Sequence, residues 1–268
     1  MYETLRYSVE NGVARIVLNR PQVLNAINSV MERELVAVLD EVENDPAALV
    51  IVFSGEGKAF SAGYDLKETA TNPVTGLETW RRRLEAHLAQ MLRIWDCGKP
   101  SIAAVHGYAL GGGCDLALIC DLTYASRDAF FGEPELRFGS GVVTQIIPWV
   151  IGMKKSKELL LTGHDRLPAA KAAEMGLVNE AVDGDVVAHA LGVAREIAKI
   201  DPASLRLTKT SINRRYEIAG VRESLRYNLE LTAMIESSES PERVEFDRLR
   251  KVEGLKAAIA WRDGRFRS

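Results

Sequence analysis

Two glycine-rich segments, each directly after a short run of apolar residues, constrain the fold of this chain most. The first run covers residues 49–53, and the segment 57–66 that follows it reads GKAFSAGYDL. The second run covers 101–105, and the segment 106–115 that follows it reads HGYALGGGCD. Unbroken apolar runs of this length are typical of parallel strands buried on both faces. The pattern therefore predicts an α/β fold in which two glycine-rich loops follow two buried strands.

The two loops also predict a site. Small residues let a ligand approach the backbone closely, where N–H groups are the available donors. Two such loops side by side can direct two N–H groups at one oxygen, which is the geometry of an oxyanion hole. Asp115 closes the second segment, and Glu135 follows twenty residues later in the sequence FGEPEL. These two acids are candidates for proton transfer beside the hole.

The remaining pattern divides the chain into a strand-rich part and a helical part. Asn11-Gly12 predicts a hairpin between two strands, and an opening hairpin without a Gly-x-Gly-x-x-Gly motif argues against a doubly wound nucleotide-binding sheet. Ser29 is predicted to cap the first helix, and a long amphipathic helix is predicted over 77–95. Further helices are predicted over 155–161, 168–175, 185–200, 204–216, 221–235 and 241–251. Asp201-Pro202 marks the predicted boundary between a core of residues 1–200 and a helical region of 201–268.

Composition excludes several classes of protein. The chain has 268 residues, 47% of them hydrophobic and 26% charged, as in ordinary globular proteins. A net charge of −3 gives no electrostatic footprint for nucleic acid. Cys97, Cys114 and Cys120 are odd in number and lack metal-site spacing, which favours the reducing cytoplasm. We expect no metal, no signal peptide and no membrane span, since no apolar run approaches about 18 residues.

Three motifs carry a resemblance to a known family. They are the segments 58–66, 107–117 and 131–135, which read KAFSAGYDL, GYALGGGCDLA and FGEPE. In this order and spacing they resemble the crotonase family, also called the enoyl-CoA hydratase/isomerase family, and the resemblance extends from about Leu5 to Phe266. It implies an α/β spiral of ββα units with C-terminal helices that pack on neighbouring subunits. The implied assembly is a homotrimer or a dimer of trimers.

The resemblance also implies roles for individual residues. Ala62 and Gly112 would supply the two oxyanion N–H donors, Asp115 would activate water, and Glu135 would protonate Cα. Coenzyme A enters as part of an acyl-CoA substrate, so no permanently bound cofactor is expected. The residues implied to contact it are Lys58, Ala59, Ala62, Gly63, Tyr64, Asp65, Leu66 and Gly112.

The implied activity is hydration of a 2-enoyl-CoA, and three alternatives stay open. They are an enoyl-CoA double-bond isomerase, other acyl-CoA enolate chemistry, and a non-catalytic or RNA-binding relative. Asp115 stands where the family hydratases usually have glutamate, which is longer by one C–C bond of about 1.5 Å. The loop 138–143 lacks the usual proline. We interpret Arg81-Arg82-Arg83 as a solvated helix face, Asp65 as a support for its loop, and Cys114 as a buried filler.

Overall fold

The computed structural model of the chain describes residues 2–71 and 74–266. The strands are β1 (Leu5–Glu10), β2 (Val13–Leu18), β3 (Val50–Gly55), β4 (Ser101–Val105), β5 (Tyr108–Leu110), β6 (Leu122–Ser126), β7 (Phe130–Gly132), β8 (Leu167–Pro168) and β9 (Glu180–Val182). The helices are α1 (Ser29–Asn44), α2 (Leu66–Thr71), α3 (Leu77–Asp96), α4 (Gly112–Ile119), α5 (Ile147–Val150), α6 (Met153–Leu161), α7 (Ala169–Glu174), α8 (Val186–Ile197), α9 (Pro202–Ile218), α10 (Val221–Ser237), α11 (Pro241–Val252) and α12 (Leu255–Gly264). The predicted α/β class is confirmed.

The main sheet has the strand order β1-β2-β3-β4-β6-β9. Strands β1 and β2 form the predicted antiparallel hairpin, and Asn11 and Gly12 adopt the positive φ values of 51° and 79° that a tight hairpin turn requires. The other strand pairs are parallel. All five residues of β4 are buried, as the unbroken apolar run predicts.

A second, smaller sheet of β5, β7 and β8 brings the two glycine-rich segments together. Strand β5 lies inside the second segment, and Ser61 of the first segment pairs with it in parallel through a bridge to Ala109. Ser61 N–H donates to the Tyr108 carbonyl at 3.0 Å, and Leu110 N–H donates to the Ser61 carbonyl at 3.0 Å. The expectation that the two loops lie side by side is therefore met.

The long helices follow the predicted apolar stripes. Helix α3 buries Trp80, Leu84 and Met91 on one face and packs on α1, α4 and α10. The cap of α1 differs from the prediction: Asn28, and not Ser29, accepts the Met31 N–H with its side chain, at 3.0 Å. The Ser29 N–H and hydroxyl instead donate to the carboxylate of Glu68 in α2.

The first helix after residue 201 begins at Pro202, two residues before the predicted start at Ser204. Asp201 caps α9 by accepting the Ser204 N–H, and Ser240 caps α11 by accepting the Arg243 N–H. Helix α10 packs along α3, and α11 contacts α2 and the 3-10 turn Glu135–Phe138. The division into ranges 1–200 and 201–268 stays a prediction. Residues 1, 72, 73, 267 and 268 of these ranges lie outside the described residues.

Candidate active site

A cavity of about 320 Å³ lies between the two glycine-rich segments, α3, the Glu135–Phe138 turn and α11. The predicted site residues that line it are Ala62, Gly63, Tyr64, Leu66, Gly112, Asp115 and Glu135. The remaining three lie outside it. Lys58 is exposed, Ala59 is fully buried, and Asp65 supports its loop as predicted, because its carboxylate accepts the Lys67 N–H at 3.0 Å and pairs with Arg20 at 2.9 Å.

Asp115 lies in the first turn of α4 with its carboxyl group on the cavity. It is 2% exposed, and its Oδ2 accepts the Thr144 N–H at 3.1 Å. Its Oδ1 has no hydrogen-bond partner in the described part of the chain. Burial raises the pKa of Asp115 well above its usual range, the Thr144 N–H partly offsets this, and the charge of Glu135 adds to it. The unpaired Oδ1 is therefore the Asp115 atom available to take a proton.

Glu135 begins the 3-10 turn on the other side of the cavity. Its Oε2 is buried without a hydrogen-bond partner among the described residues. Burial raises the pKa of Glu135 from its ordinary value of 4.5 to about 7. The carboxyl group also explains a glycine, because a Cβ atom on Gly111 would collide with Glu135 Oε1. The second glycine-rich segment thus makes room for this acid.

A third buried carboxyl group, Glu133, stands behind these two. It is fully buried, and neither of its oxygens has a hydrogen-bond partner within the described residues. Burial raises its pKa well above the usual range, and the charges of Asp115 and Glu135 raise it further. The sequence interpretation gave Glu133 no role, although its position two residues before Glu135, directly after the buried strand β7, was a usable signal. The raised pKa favours the protonated form of Glu133.

One of the two oxyanion donors that the resemblance implies is hydrogen-bonded within the chain. Ala62 N–H is already occupied, since it donates to the Leu24 carbonyl at 2.9 Å. The N–H groups of Tyr64 and Gly112 have no acceptor among the described residues, and both residues line the cavity. Successive N–H groups of an extended segment point to opposite sides, so the pairing of Ser61 with β5 turns Ala62 N–H away from the second loop. The geometry favours Tyr64 in place of Ala62.

Gly112 lies at the start of α4, where N–H groups have no intrahelical partner and the helix dipole favours negative charge. A Cβ atom on Gly112 would lie 2.6 Å from Tyr64 Cε2, so only glycine fits against the tyrosine ring. The same ring stacks on His87, with ring centroids 4.1 Å apart. Tyr64 is thus held between the second loop and α3.

The arginine triplet of α3 divides into three environments. Arg81 pairs with Glu230 of α10 at 2.9 Å, and Arg82 is exposed. Arg83 lines the cavity, so the interpretation of this triplet as a solvated face is wrong at that position. Cys114 is buried, as predicted.

The sequence and the fold both match one protein family. A family model described as enoyl-CoA hydratase/isomerase matches residues 8–253. The chain belongs to the enoyl-CoA hydratase/isomerase family. It is 34% identical over 258 residues to the short-chain-enoyl-CoA hydratase of Clostridium acetobutylicum, covering 92% of this chain and 95% of the relative.

Solved structures of enoyl-CoA hydratase/isomerase family members share the fold. The crystal structure of an enoyl-CoA hydratase/isomerase from Xanthobacter autotrophicus Py2 matches with a TM-score of 0.97 at 45% identity, covering 100% of both chains. An enoyl-CoA hydratase from Mycobacterium smegmatis matches with a TM-score of 0.91 at 30% identity, covering 98% of this chain and 94% of that one. The crotonase-like fold predicted from the three motifs is confirmed.

The loop that departs from the enoyl-CoA hydratase/isomerase family pattern is held by α10. Asn228 donates to the Val142 and Val143 carbonyls at 2.9 and 3.2 Å, and the Thr232 hydroxyl donates to the Val142 carbonyl at 3.1 Å. Glu236 accepts the Gly141 N–H at 3.0 Å and also the Ser140 hydroxyl. These three residues recur at every fourth position of one helix face. Asn228, Thr232 and Glu236 thereby position residues 140–143. The next residue, Thr144, donates its N–H to Asp115.

Two absences hold for residues 2–71 and 74–266. They contain no group of three or more His, Cys, Asp or Glu side chains arranged to bind a metal ion. None of their helices combines the length and the apolar character needed to cross a membrane.

Proposed function

We propose that the protein adds water across the double bond of a 2-enoyl-CoA thioester. One observation carries this: two buried carboxyl groups, Asp115 and Glu135, face a single cavity that is also lined by Tyr64 and Gly112, whose N–H groups have no acceptor within residues 2–71 and 74–266. Hydration needs a base for water, an acid for Cα, and donors for the thioester oxygen. In this site Asp115 is the base, Glu135 is the acid, and the N–H groups of Tyr64 and Gly112 are the donors.

The reaction follows from these groups. The thioester oxygen accepts the Tyr64 and Gly112 N–H groups, which stabilise the enolate by about 3 kcal/mol each. Asp115 takes a proton from water, the hydroxide bonds to Cβ, and the C=C electron pair moves into the enolate. Glu135 then gives its proton to Cα, so the water is added as OH and H. The reverse reaction exchanges the two roles.

Coenzyme A is proposed to lie along the first glycine-rich segment as part of the substrate. Ala62, Gly63, Tyr64 and Leu66 provide backbone along its arm, whereas Ala59 is fully buried and does not reach it. Lys58 is exposed and has no ion pair among the described residues, so its ammonium group is available to a phosphate. No cofactor beyond the substrate thioester is required. We also propose a cytoplasmic location and a role in acyl-CoA metabolism of the fatty-acid type.

The experiment follows loss of conjugated-thioester absorbance with crotonyl-CoA. We expect Glu135→Gln to lower kcat by about 100-fold or more while acyl-CoA binding is retained, because an amide cannot carry the proton. Asp115→Asn is expected to abolish hydration for the same reason. Glu85→Gln, which removes an exposed acid of α3, is the matched control and keeps full activity.

The same variants separate hydratase from isomerase. An isomerase that uses Glu135 alone would still shift the double bond of a 3-enoyl-CoA in Asp115→Asn. Full hydratase activity in Asp115→Asn would exclude the two-carboxyl mechanism.

A further inference from the structure

One wall of the cavity, on α3, places two polar side chains beside the apolar Trp80 and Leu84. Helix α3 presents Arg83 and His87 to the cavity one turn apart, and His87, only 4% exposed, stacks on Tyr64. Neither the Tyr64 hydroxyl nor His87 Nδ1 has a hydrogen-bond partner in the described residues. Arg83 has no ion pair or hydrogen bond there either. An acyl chain without polar atoms would leave the Tyr64 hydroxyl and the Arg83 guanidinium desolvated and unpaired, which is costly.

The acid beside this wall is Glu32, and it is already in contact with His87. Glu32 Oε1 lies 2.7 Å from His87 Nε2. Burial opposes the charge of Glu32, but His87, Arg83 and Arg33 outweigh burial and lower the pKa of Glu32. Glu32 therefore stays a carboxylate that neutralises only part of the positive charge around it.

The facing helix adds no free acid. On α11, Asp247 is shared by Arg243 at 3.1 Å and Arg250 at 2.7 Å, and Arg243 also pairs with Glu236 at 2.7 Å. Burial, with Arg243 nearby, lowers the pKa of Arg250 although Asp247 opposes this. The Arg243 guanidinium lies 5.7 Å from the ring centroid of Trp80 on α3, so the two walls are neighbours. The residues of α3 and α11 that line the cavity include three guanidinium groups, those of Arg83, Arg243 and Arg250, and one carboxylate, that of Asp247.

We propose that this wall binds a second carboxylate on the acyl group. The substrate class is then the coenzyme A monothioester of an unsaturated dicarboxylic acid. A carboxylate accepts the planar donor pair of Arg83 and the hydroxyl of Tyr64 at once, and arginine is the side chain best suited to that geometry. The inference rests on the proposed function, because it names the acyl group that the same cavity takes.

The spacing along α3 sets the length of the acyl group. Arg83 precedes His87 by four residues, which is about 6 Å along a helix. Because a C–C bond of about 1.5 Å advances an extended zigzag chain by only about 1.25 Å, that distance corresponds to about five bonds beyond the thioester carbon, which would lie beside Tyr64 and Gly112. Short dicarboxylic acyl groups therefore fit, and long alkyl chains do not use this wall.

The test compares the kcat/KM of glutaconyl-CoA with that of its terminal methyl ester, which has nearly the same shape but no charge. We expect the wild type to prefer the acid by at least about tenfold, since a charge-assisted hydrogen bond is lost in the ester. Arg83→Met is expected to reduce this preference to about one, and Arg83→Lys to retain part of it. Arg82→Met removes an exposed arginine from the same turn and keeps the wild-type ratio.

Two results would overturn the inference. A wild type that prefers the ester has no carboxylate site. An equal loss for both substrates in Arg83→Met, with an unchanged ratio, would place Arg83 on the phosphates of coenzyme A.

The proposed function can fail separately, as absence of hydration with crotonyl-CoA and with glutaconyl-CoA. Calorimetric binding of saturated glutaryl-CoA against butyryl-CoA then still tests the carboxylate site. Weaker or equal binding of glutaryl-CoA would count against it.

Discussion

At the scale of residues, the site is defined by acids that have been removed from water. Asp115, Glu133 and Glu135 are close enough for their charges to affect one another, and burial raises the pKa of all three. Carboxyl groups that are coupled in this way titrate together and not independently. Because they are buried, they keep a proton at a pH at which an exposed carboxylic acid would have lost it. This is the property that a proton donor to Cα requires.

The same burial predicts a pH-dependent cost in stability. The folded pKa of Glu135 is about 7 and its ordinary value is 4.5, so the folded state binds the proton that the unfolded chain releases between these values. The contribution of Glu135 to the free energy of unfolding is therefore most favourable below pH 4.5. This contribution is lost as the pH rises towards 7. We expect Glu135→Gln to be more stable than the wild type at pH 8 by up to about 3 kcal/mol, with little difference at pH 5.

Urea unfolding of both proteins at the two pH values measures this difference, with Glu85→Gln as the exposed control. An equal stability difference at pH 5 and pH 8 would show that shape, and not ionisation, separates the two side chains.

The motifs predicted Asp115 and Glu135 but not the full environment of either. Glu133 was missed because an acid between Gly132 and Pro134 looks like part of a solvated turn, and only the tertiary structure buries it. The donor was assigned to Ala62 because a motif does not encode the direction of each N–H group. That direction depends on which residues pair with β5.

At the scale of elements, α10 controls the geometry of the reacting carboxylate from a distance. The helix holds residues 140–143 through three side chains, and the next residue donates its N–H to Asp115. A Cβ atom on Gly141 would lie 2.8 Å from Thr232 Cγ2, so the loop and the helix are in close contact. Misplacement of a catalytic group by about 1 Å can cost about 100-fold in rate.

We therefore expect Thr232→Val to lower kcat by about tenfold with a smaller change in KM, because the hydroxyl bond to the Val142 carbonyl is lost while the shape is kept. Thr232→Ser retains the hydroxyl and should recover most of the activity. The pH profile of kcat should shift in Thr232→Val, since the Thr144 N–H lowers the pKa of Asp115. Ser224→Ala, an exposed position on α10, is the control.

Equal losses in the serine and valine variants, or an unchanged pH profile in Thr232→Val, would contradict this positioning role.

Element prediction succeeded where the periodicity was long. Helices α1, α3, α10 and α11 were predicted within a few residues, since their apolar stripes extend over several turns. Strands β5, β8 and β9 were missed because two or three residues carry no periodicity, and only pairing with distant segments makes them strands. Helix α12 was missed as well, because its N-cap residue is Gly254, which has no side chain to cap the helix.

At the scale of the whole molecule, we propose the homotrimer or dimer of trimers that the family resemblance implies. The helical region supports it: Tyr227, Leu231 and Met234 recur at helical spacing on α10, and all three are exposed. Leu207 and Ile212 of α9 are exposed too. Apolar residues grouped on one helix face are typical of subunit contacts.

Light scattering at micromolar concentration measures the assembly, and we expect three or six times the chain mass of 29.5 kDa. Leu231→Asp should shift the mass towards the monomer, because a charge buried in a contact without a partner is costly. Leu161→Asp changes an exposed leucine of α6 and should leave the mass unchanged. A monomeric wild type would refute the proposed assembly.

The contacts between α10 and the loop at residues 140–143 also order the events of synthesis. Asn228 and Glu236 lie 86 and 95 residues farther along the chain than the loop residues they hold. At about 5–20 residues per second, a ribosome needs roughly 5–20 s to add that length. When the interval begins, the nascent chain already contains five strands of the main sheet and both carboxylates, but not the helix that holds the loop. We therefore expect the site to stay incomplete until synthesis is nearly finished.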